Sequence, residues 1–317
     1  MPLNRSTTLR FLITGGSGQL GRELTRILSR QGVVVAPSRA ELDLARPATI
    51  REAIRRVRPT VIVNAAAYTD VDRAESDRAA CMAVNADGPA VLATEASRAS
   101  AALIHYSTDY VFDGTKSGAY VETDGPAPLS VYGQSKLDGE RALATSEAAW
   151  IVVRTSWLYA ANGKNFLTKV LELARDQLEL QVVDDQIGAP TPASAVAAAT
   201  ASLVSSVCGQ RADVADGVRG LRGIYHYASE GSTSWCGFAR AIFDAVPDAA
   251  RRALVVRAIP TEERAAPARR PANSRLDSSR IMATFGVRAR PWRAELADLA
   301  STLRPSGRGS VAGTVHA

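Results

Sequence analysis

Lysine is scarce in this chain. Of the 38 basic residues only Lys116, Lys136, Lys164 and Lys169 are lysines, and the rest are arginines. Cysteine and histidine are scarcer still, at three each. Cys81, Cys208 and Cys236 are odd in number and far apart, which excludes a disulfide framework and offers no metal-ligand spacing. His105, His226 and His316 are too dispersed for a zinc site. No apolar run approaches the ~18 residues of a membrane span. The stretch from Met1 to Arg10 is polar and has no apolar h-region, so no signal peptide is expected and the reading is cytoplasmic. Net charge is +6, and arginine pairs occur at 55–56, 251–252 and 269–270, but no aromatic-interleaved basic patch accompanies them. Nucleic acid is therefore not expected as a partner. The mild basicity suits a small anionic ligand, or needs no partner at all.

Against that background one lysine stands out. Ser130-Val131-Tyr132-Gly133-Gln134-Ser135-Lys136 reads as the start of a helix, with Ser130 as N-cap. Tyr132 and Lys136 are four residues apart, so a helix stacks them on one face. A phenol beside an ammonium is a proton donor with an adjustable pKa. Moving a tyrosine from ~10 to about 7 takes roughly 4 kcal/mol. A cation ~4 Å away at an effective dielectric of ~20 supplies about that much.

The preceding chain alternates strand and helix. Leu9 to Thr14 is an apolar strand, followed by Gly15-Gly16-Ser17-Gly18-Gln19-Leu20-Gly21 and a helix with Leu20, Leu24, Ile27 and Leu28 on one face. Glycines in that place let a pyrophosphate approach the backbone at a helix N-terminus. The second strand, Val33 to Pro37, ends in Ser38-Arg39. An arginine there suits the 2′-phosphate of NADP, where an acidic residue would suit NAD. Strands at 61–64, 102–106 and 150–154 and helices at 47–58 and 77–100 continue the alternation. The fold class is therefore α/β: a Rossmann-type, doubly wound parallel sheet. Residues 1–160 form the dinucleotide-binding domain, with later segments free to return to it.

Beyond residue 160 the pattern loosens. Helices are expected at 165–175, 193–207, 233–245 (capped near Ser232) and 292–303, and strands at 180–183, 223–228 and 255–259. Residues 211–222 and 262–273 read as loops, the second running over a surface. Residues 161–303 thus form a smaller C-terminal α/β substrate lobe, and 304–317 a disordered tail.

Several blocks carry a family likeness. They are Ala65-Ala66-Ala67-Tyr68-Thr69, Ser107-Thr108-Asp109-Tyr110-Val111-Phe112-Asp113-Gly114, Val131-Tyr132-Gly133-Gln134-Ser135-Lys136, Arg154-Thr155-Ser156-Trp157, Asp185-Gln186-Ile187-Gly188-Ala189-Pro190-Thr191 and Arg270-Pro271-Ala272-Asn273-Ser274-Arg275-Leu276. The chain resembles the extended short-chain dehydrogenase/reductases, and within them the dTDP-4-dehydrorhamnose reductase family. The resemblance implies NADPH-dependent reduction, with NADH as the alternative donor, of the C4 ketone of dTDP-6-deoxy-L-lyxo-4-hexulose to dTDP-L-rhamnose. It implies Tyr132 as proton donor, Lys136 as its partner and ligand of the nicotinamide ribose, and Thr108 as the hydroxyl orienting the substrate oxygen. The cofactor set is Gly15, Gly18, Gln19, Leu20, Gly21, Ser38, Arg39, Asp43, Leu44, Asn64, Ala65, Ala66 and Ala67, with Tyr132 and Lys136. The substrate set is Thr69, Val71, Thr108, Asp109, Trp157, stacking on the hexose, and Arg275, reaching the pyrophosphate. Some members of the family dimerise through carboxylate-bound Mg2+. The stretch Ala193-Ser194-Ala195-Val196-Ala197 lacks the carboxylate, so a homodimer here is not expected to use a bridging metal. Two rival readings remain: another nucleotide-4-ketosugar reductase or epimerase, and a non-catalytic dinucleotide-binding subunit.

Overall fold

Buried β-branched and leucine-rich runs build the central sheet. In the computed structural model, which describes residues 8–208, 214–246 and 254–303, the first half of the chain runs β1 (Leu9–Thr14), α1 (Gln19–Leu28), β2 (Gly32–Val35), α2 (Pro47–Val57), β3 (Val61–Asn64), α3 (Val71–Ala74), α4 (Arg78–Met82), a π-helical turn (Ala83–Asp87), α5 (Gly88–Arg98), β4 (Ala102–Thr108), α6 (Val131–Ala144) and β5 (Ala149–Thr155). The rest runs β6 (Leu158–Tyr159), α7 (Phe166–Leu173), β7 (Glu179–Val183), β8 (Ile187–Gly188), β9 (Thr191–Pro192), α8 (Ala193–Cys208), α9 (Val214–Arg219), β10 (Gly223–His226), β11 (Thr233–Ser234), α10 (Trp235–Ala245), β12 (Val255–Ile259), α11 (Ser279–Phe285) and α12 (Trp292–Leu303). The expected tail from Arg304, with Arg251, Arg252 and His316, lies outside the described residues.

The main sheet is parallel throughout, in the order β10-β5-β4-β3-β1-β2. Every residue of β3, β4 and β5 is buried, as expected for a sheet covered on both faces. On one face Phe11, Ile13, Val63 and Ile104 pack with Leu20, Leu24 and Leu28 of α1 and Val196 and Leu203 of α8. On the other, Leu12, Ile62 and Leu103 pack with Ile50 and Ile54 of α2 and Leu92 of α5. Each such side chain contributes about 1.5–3 kcal/mol. Strand order reverses at β1, with β2 on one side and β3 on the other. Ligands of such sheets bind at that switch point, beyond the carboxyl ends of the strands.

A second body of side chains, with Tyr159, Leu167, Phe238, Ile242, Trp292 and Leu296 at its centre, gathers α7, α10 and α12. β7 and β12 pair in parallel beside it. The later chain also re-enters the main sheet, where β10 pairs with β5.

Three local expectations are corrected. Residues 214–219 are the helix α9 rather than loop, because Ala215 and Val218 are buried in the main core. The helix expected from Thr233 starts at Trp235, after the short strand β11, and its cap is Ser234, which accepts from Gly237 N. The segment 279–285, on which the sequence reading is silent, is the helix α11, with Ile281 and Phe285 buried. Finally, residues 268–276 do not skirt the surface. Ala268, Pro271, Asn273 and Ser274 are buried, and Asn273 Nδ2 donates to the carbonyls of Lys116 (2.6 Å) and Gly118 (2.7 Å). Ile187 N bonds Ala272 O, and Tyr120 N bonds Arg275 O. The segment is a strap joining the two halves of the molecule.

Candidate active site

The glycine turn lies between β1 and α1. Gly15 has φ +65°, and a Cβ there would fall 2.8 Å from Ala66 Cα and N. At Gly21 a Cβ would fall 2.1 Å from Gly15 O. Neither place tolerates a side chain, so the turn stays close to the strand ends and leaves its N–H groups at the start of α1. Gln19 bridges this turn to the second half of the chain through Lys164 O (3.1 Å). Beyond β2, Arg39 is exposed and 3.5 Å from Asp43, and Glu41 accepts from Ser38 N and Oγ, both at 2.9 Å. Leu20 and Leu44 bury their side chains in the core, leaving only their backbone for a ligand.

Tyr132 and Lys136 lie on the first turns of α6, whose N-cap Ser130 accepts from Gly133 N at 3.1 Å. Lys136 is buried, and Nζ donates to Tyr106 O (2.7 Å) and lies 3.4 Å from His105 Nε2, both on β4. Burial pushes its pKa down to about 8, while Glu140, one turn further along the same face, acts against that. Tyr132 is half-buried, edge-on to Tyr110 with centroids 5.9 Å apart. Its pKa is raised, chiefly by burial, with a hydrogen bond to Thr108 the main influence in the other direction. From the sequence, Lys136 is expected to lower the phenol towards 7. In the structure burial raises the phenol instead, and the Lys136 ammonium donates to the Tyr106 carbonyl of β4.

Thr108, at the end of β4, donates to Asp109 Oδ1 (2.9 Å). Asp109 is buried against Ser274 of the strap and pushed up to about 6 by that burial. Thr69 is exposed and Val71 half-buried, in the loop after β3. Asn85, in the π-helical turn, clamps this loop by accepting from Tyr68 N (2.9 Å) and donating to Tyr68 O (3.0 Å). Single π turns recur at functional sites. The strap closes over the same loop, where Arg270 and Asp72 pair at 2.8 Å and hold the Asp72 carboxyl below its usual range. Arg275 is held by Asn273 Oδ1 (2.9 Å) and Ser117 O. Trp157, with φ +47°, stacks on Trp235 with centroids 3.5 Å apart and planes 5° off parallel. Gly188 has no room for a Cβ, which would sit 2.4 Å from the Trp157 ring.

Arg270, Asp72, Asn85, Trp235 and His105 were not singled out from the sequence. Arg270 lay inside a quoted block and Asn85 inside a read helix, but nothing local says which strand or loop they meet. Glu140 carried a signal, since it follows Tyr132 and Lys136 at a further interval of four. It binds Arg154 of β5 through Arg154 Nε (2.8 Å) and Nη2 (2.6 Å), with both side chains buried. Among the described residues no group of three or more His, Cys, Asp or Glu is placed to hold a metal ion.

A glycine turn at the switch point of a parallel sheet, with a hydroxyl ending β4 and Tyr-x-x-x-Lys on the helix after it, defines a short-chain dehydrogenase/reductase. Comparison with known proteins narrows this. The model of the RmlD substrate binding domain family matches residues 9–304. A dTDP-4-dehydrorhamnose reductase of Burkholderia thailandensis is 46% identical over 289 residues, covering 90% of this chain and 96% of that protein. Another, from Aggregatibacter actinomycetemcomitans, is 42% identical over 296 residues, covering 92% and 98%. The crystal structure of dTDP-4-dehydrorhamnose reductase from Bacillus anthracis in complex with NADP superposes with a TM-score of 0.84 at 32% identity, over 93% of this chain and 100% of that one. The chain belongs to the dTDP-4-dehydrorhamnose reductase family.

Proposed function

We infer that this chain is an NADPH-dependent oxidoreductase that reduces the C4 ketone of dTDP-4-dehydro-L-rhamnose to dTDP-L-rhamnose. The observation that carries the reading is the family match over nearly the whole chain, joined to a Tyr132–Lys136 pair on the helix that follows the Thr108 strand end. The residues fit the cofactor. The cradle at Gly15 and Gly21 is one that a Cβ would fill, and Gly18 opens α1. NADPH, when bound, supplies the hydride that C4 receives.

In this reading the phenol of Tyr132 gives its proton to O4 as C4 becomes tetrahedral. A raised pKa keeps that phenol protonated, which is the form a reduction needs. Thr108 holds O4 within reach of Tyr132. Lys136, anchored to β4, compensates the phenolate left behind. Thr69 and Val71 form one wall of the sugar site, Arg270 and the strap close it, and Trp157 backed by Trp235 forms the apolar wall. Gly15, Gly18, Gln19 and Gly21 receive the pyrophosphate, and Ser38 and Arg39 the adenosine end. Residues 1–160 with β10 hold the dinucleotide and 161–303 chiefly the sugar nucleotide. The same reading puts the chain in the cytoplasm, away from membranes and nucleic acid, and any homodimer would form without a bridging metal. No described helix is long and apolar enough to cross a membrane.

The test is NADPH oxidation at 340 nm with enzymically generated dTDP-4-dehydro-L-rhamnose, for wild type and Tyr132→Phe. Wild type should turn over with dTDP-L-rhamnose as product, and the variant should lose roughly 10²–10⁴-fold in kcat with NADPH binding retained. A Tyr132→Phe enzyme that keeps most of its kcat removes Tyr132 as the proton donor.

A further inference from the structure

Three buried polar side chains lie in a row across the middle of the main sheet. β1, β3 and β4 pair so that Thr14 faces Asn64 and Asn64 faces His105. Each is about 1% exposed. Polar groups so buried are costly unless hydrogen-bonded, and these form a continuous chain. Ala66 N donates to Thr14 Oγ1 (3.1 Å), Thr14 Oγ1 is 2.5 Å from Asn64 Oδ1, and Asn64 Nδ2 is 2.8 Å from His105 Nδ1. The far ring nitrogen, His105 Nε2, is 3.4 Å from Lys136 Nζ. The near end is Ala66, the residue against which Gly15 packs.

We propose that His105 is a positioning residue for Lys136, tying the lysine amine through Asn64 and Thr14 to the strand ends that shape the glycine turn. The proposal rests on the role given to Lys136 above. An ammonium has three donors, and His105 Nε2 and Tyr106 O face two of them. The third is then directed away from β4, where a bound ribose would meet it. Burial, and next the Lys136 charge, hold the His105 pKa well below its ordinary value, so the ring is neutral. A neutral imidazole has one N–H and one lone pair. With Lys136 charged, Nε2 presents the lone pair and Nδ1–H meets the Asn64 carboxamide, turned over about its last bond without change of shape. Glu140 on α6 acts on Lys136 through charge and does not replace this directional contact.

Two substitutions separate positioning from space-filling. The amide of asparagine reaches the place of Nδ1, and that of glutamine the place of Nε2. His105→Asn therefore keeps the Asn64 contact and loses Lys136, and His105→Gln does the reverse. We expect His105→Asn to lower kcat by about 10- to 100-fold, the worth of one hydrogen bond to a charged group, and His105→Gln to restore most of it, with KM for the sugar nucleotide little changed in both. The opposite order, or equal losses, overturns the proposal. If neither variant folds by circular dichroism, the isosteric Thr14→Val decides: a kcat several-fold below wild type supports the row, and wild-type kcat overturns it. If wild type itself does not reduce the sugar, the function proposed above fails. The row is then read from NADPH fluorescence titration, where His105→Asn must bind more weakly than His105→Gln or the proposal falls too.

Discussion

Glu140→Gln should be among the most damaging single substitutions outside the reacting groups. Glu140 and Arg154 are each about 2% exposed and share two hydrogen bonds, at 2.8 and 2.6 Å. Arg154 also lies over the Phe112 ring, 5.0 Å from its centroid, and 3.4 Å from His226, whose pKa is pushed down to about 3, so that neighbour is neutral. Neutralising Glu140 leaves the guanidinium charge buried without a counter-ion. Removing one partner of such a pair costs about 3–5 kcal/mol, against a total stability of roughly 5–15 kcal/mol. At about 2 °C per kcal/mol for a chain of this size, Tm falls by about 6–10 °C. Calorimetry at pH 7 measures this. The loss is smaller than additive when both charges go: Glu140→Leu with Arg154→Met should lose less than the sum of the two single variants. A second readout is catalytic. Glu140 raises the pKa of Lys136, which burial has pushed down to about 8. Without the carboxylate that pKa falls further, so the alkaline limb of the kcat profile moves to lower pH. A Tm loss under about 2 °C, or single-variant losses that simply add, would refute the reasoning.

Gly21→Ala puts a Cβ 2.1 Å from Gly15 O and 2.7 Å from Gly16 Cα, both backbone, so the turn must open; NADPH affinity by fluorescence titration should drop at least about tenfold, and unchanged affinity would place the dinucleotide elsewhere. Arg270→Ala cuts the strap from Asp72, and KM for the sugar nucleotide should rise several-fold with kcat changing less, as steady-state kinetics will report. Asp109 has a folded pKa of about 6, above its ordinary 3.8. Its contribution to stability is therefore fully present below about pH 4 and lost as pH rises through about 6. In melting curves from pH 4 to 7, Asp109→Asn should gain on wild type as pH rises, and a constant difference would show that the carboxyl is not held protonated.

Much of the site was legible in the chain because its signals are local. A glycine at φ +65°, an apolar strand before it and an amphipathic helix after it are written within twenty residues, as is the interval that stacks Tyr132 over Lys136. The central strands of the main sheet were readable for the same reason, β3, β4 and β5 being short apolar runs buried on both faces. The boundaries that failed were those set by distant contacts. Val214–Arg219 is polar enough to read as a loop and becomes helical because Ala215 and Val218 meet the main core. The strap read as surface because its proline and arginine content is that of a loop, and nothing nearby announces that Asn273 will fill the hydrogen-bonding needs of Lys116 and Gly118.

What the sequence by itself determined is which groups are present: a glycine turn after a strand, a phenol and an ammonium one helical turn apart, and a strand ending in hydroxyls. What only the tertiary structure decided is how those groups are held. Register across β1, β3 and β4 aligned Thr14, Asn64 and His105 behind Lys136. The return of β10 to the main sheet, the stacking of Trp157 on Trp235 and the closure of Arg270 on Asp72 likewise join residues far apart in the chain. The physical reason is that backbone preference and side-chain periodicity act over a few residues. Register, desolvation and ion pairing depend on which surfaces meet after the chain has folded.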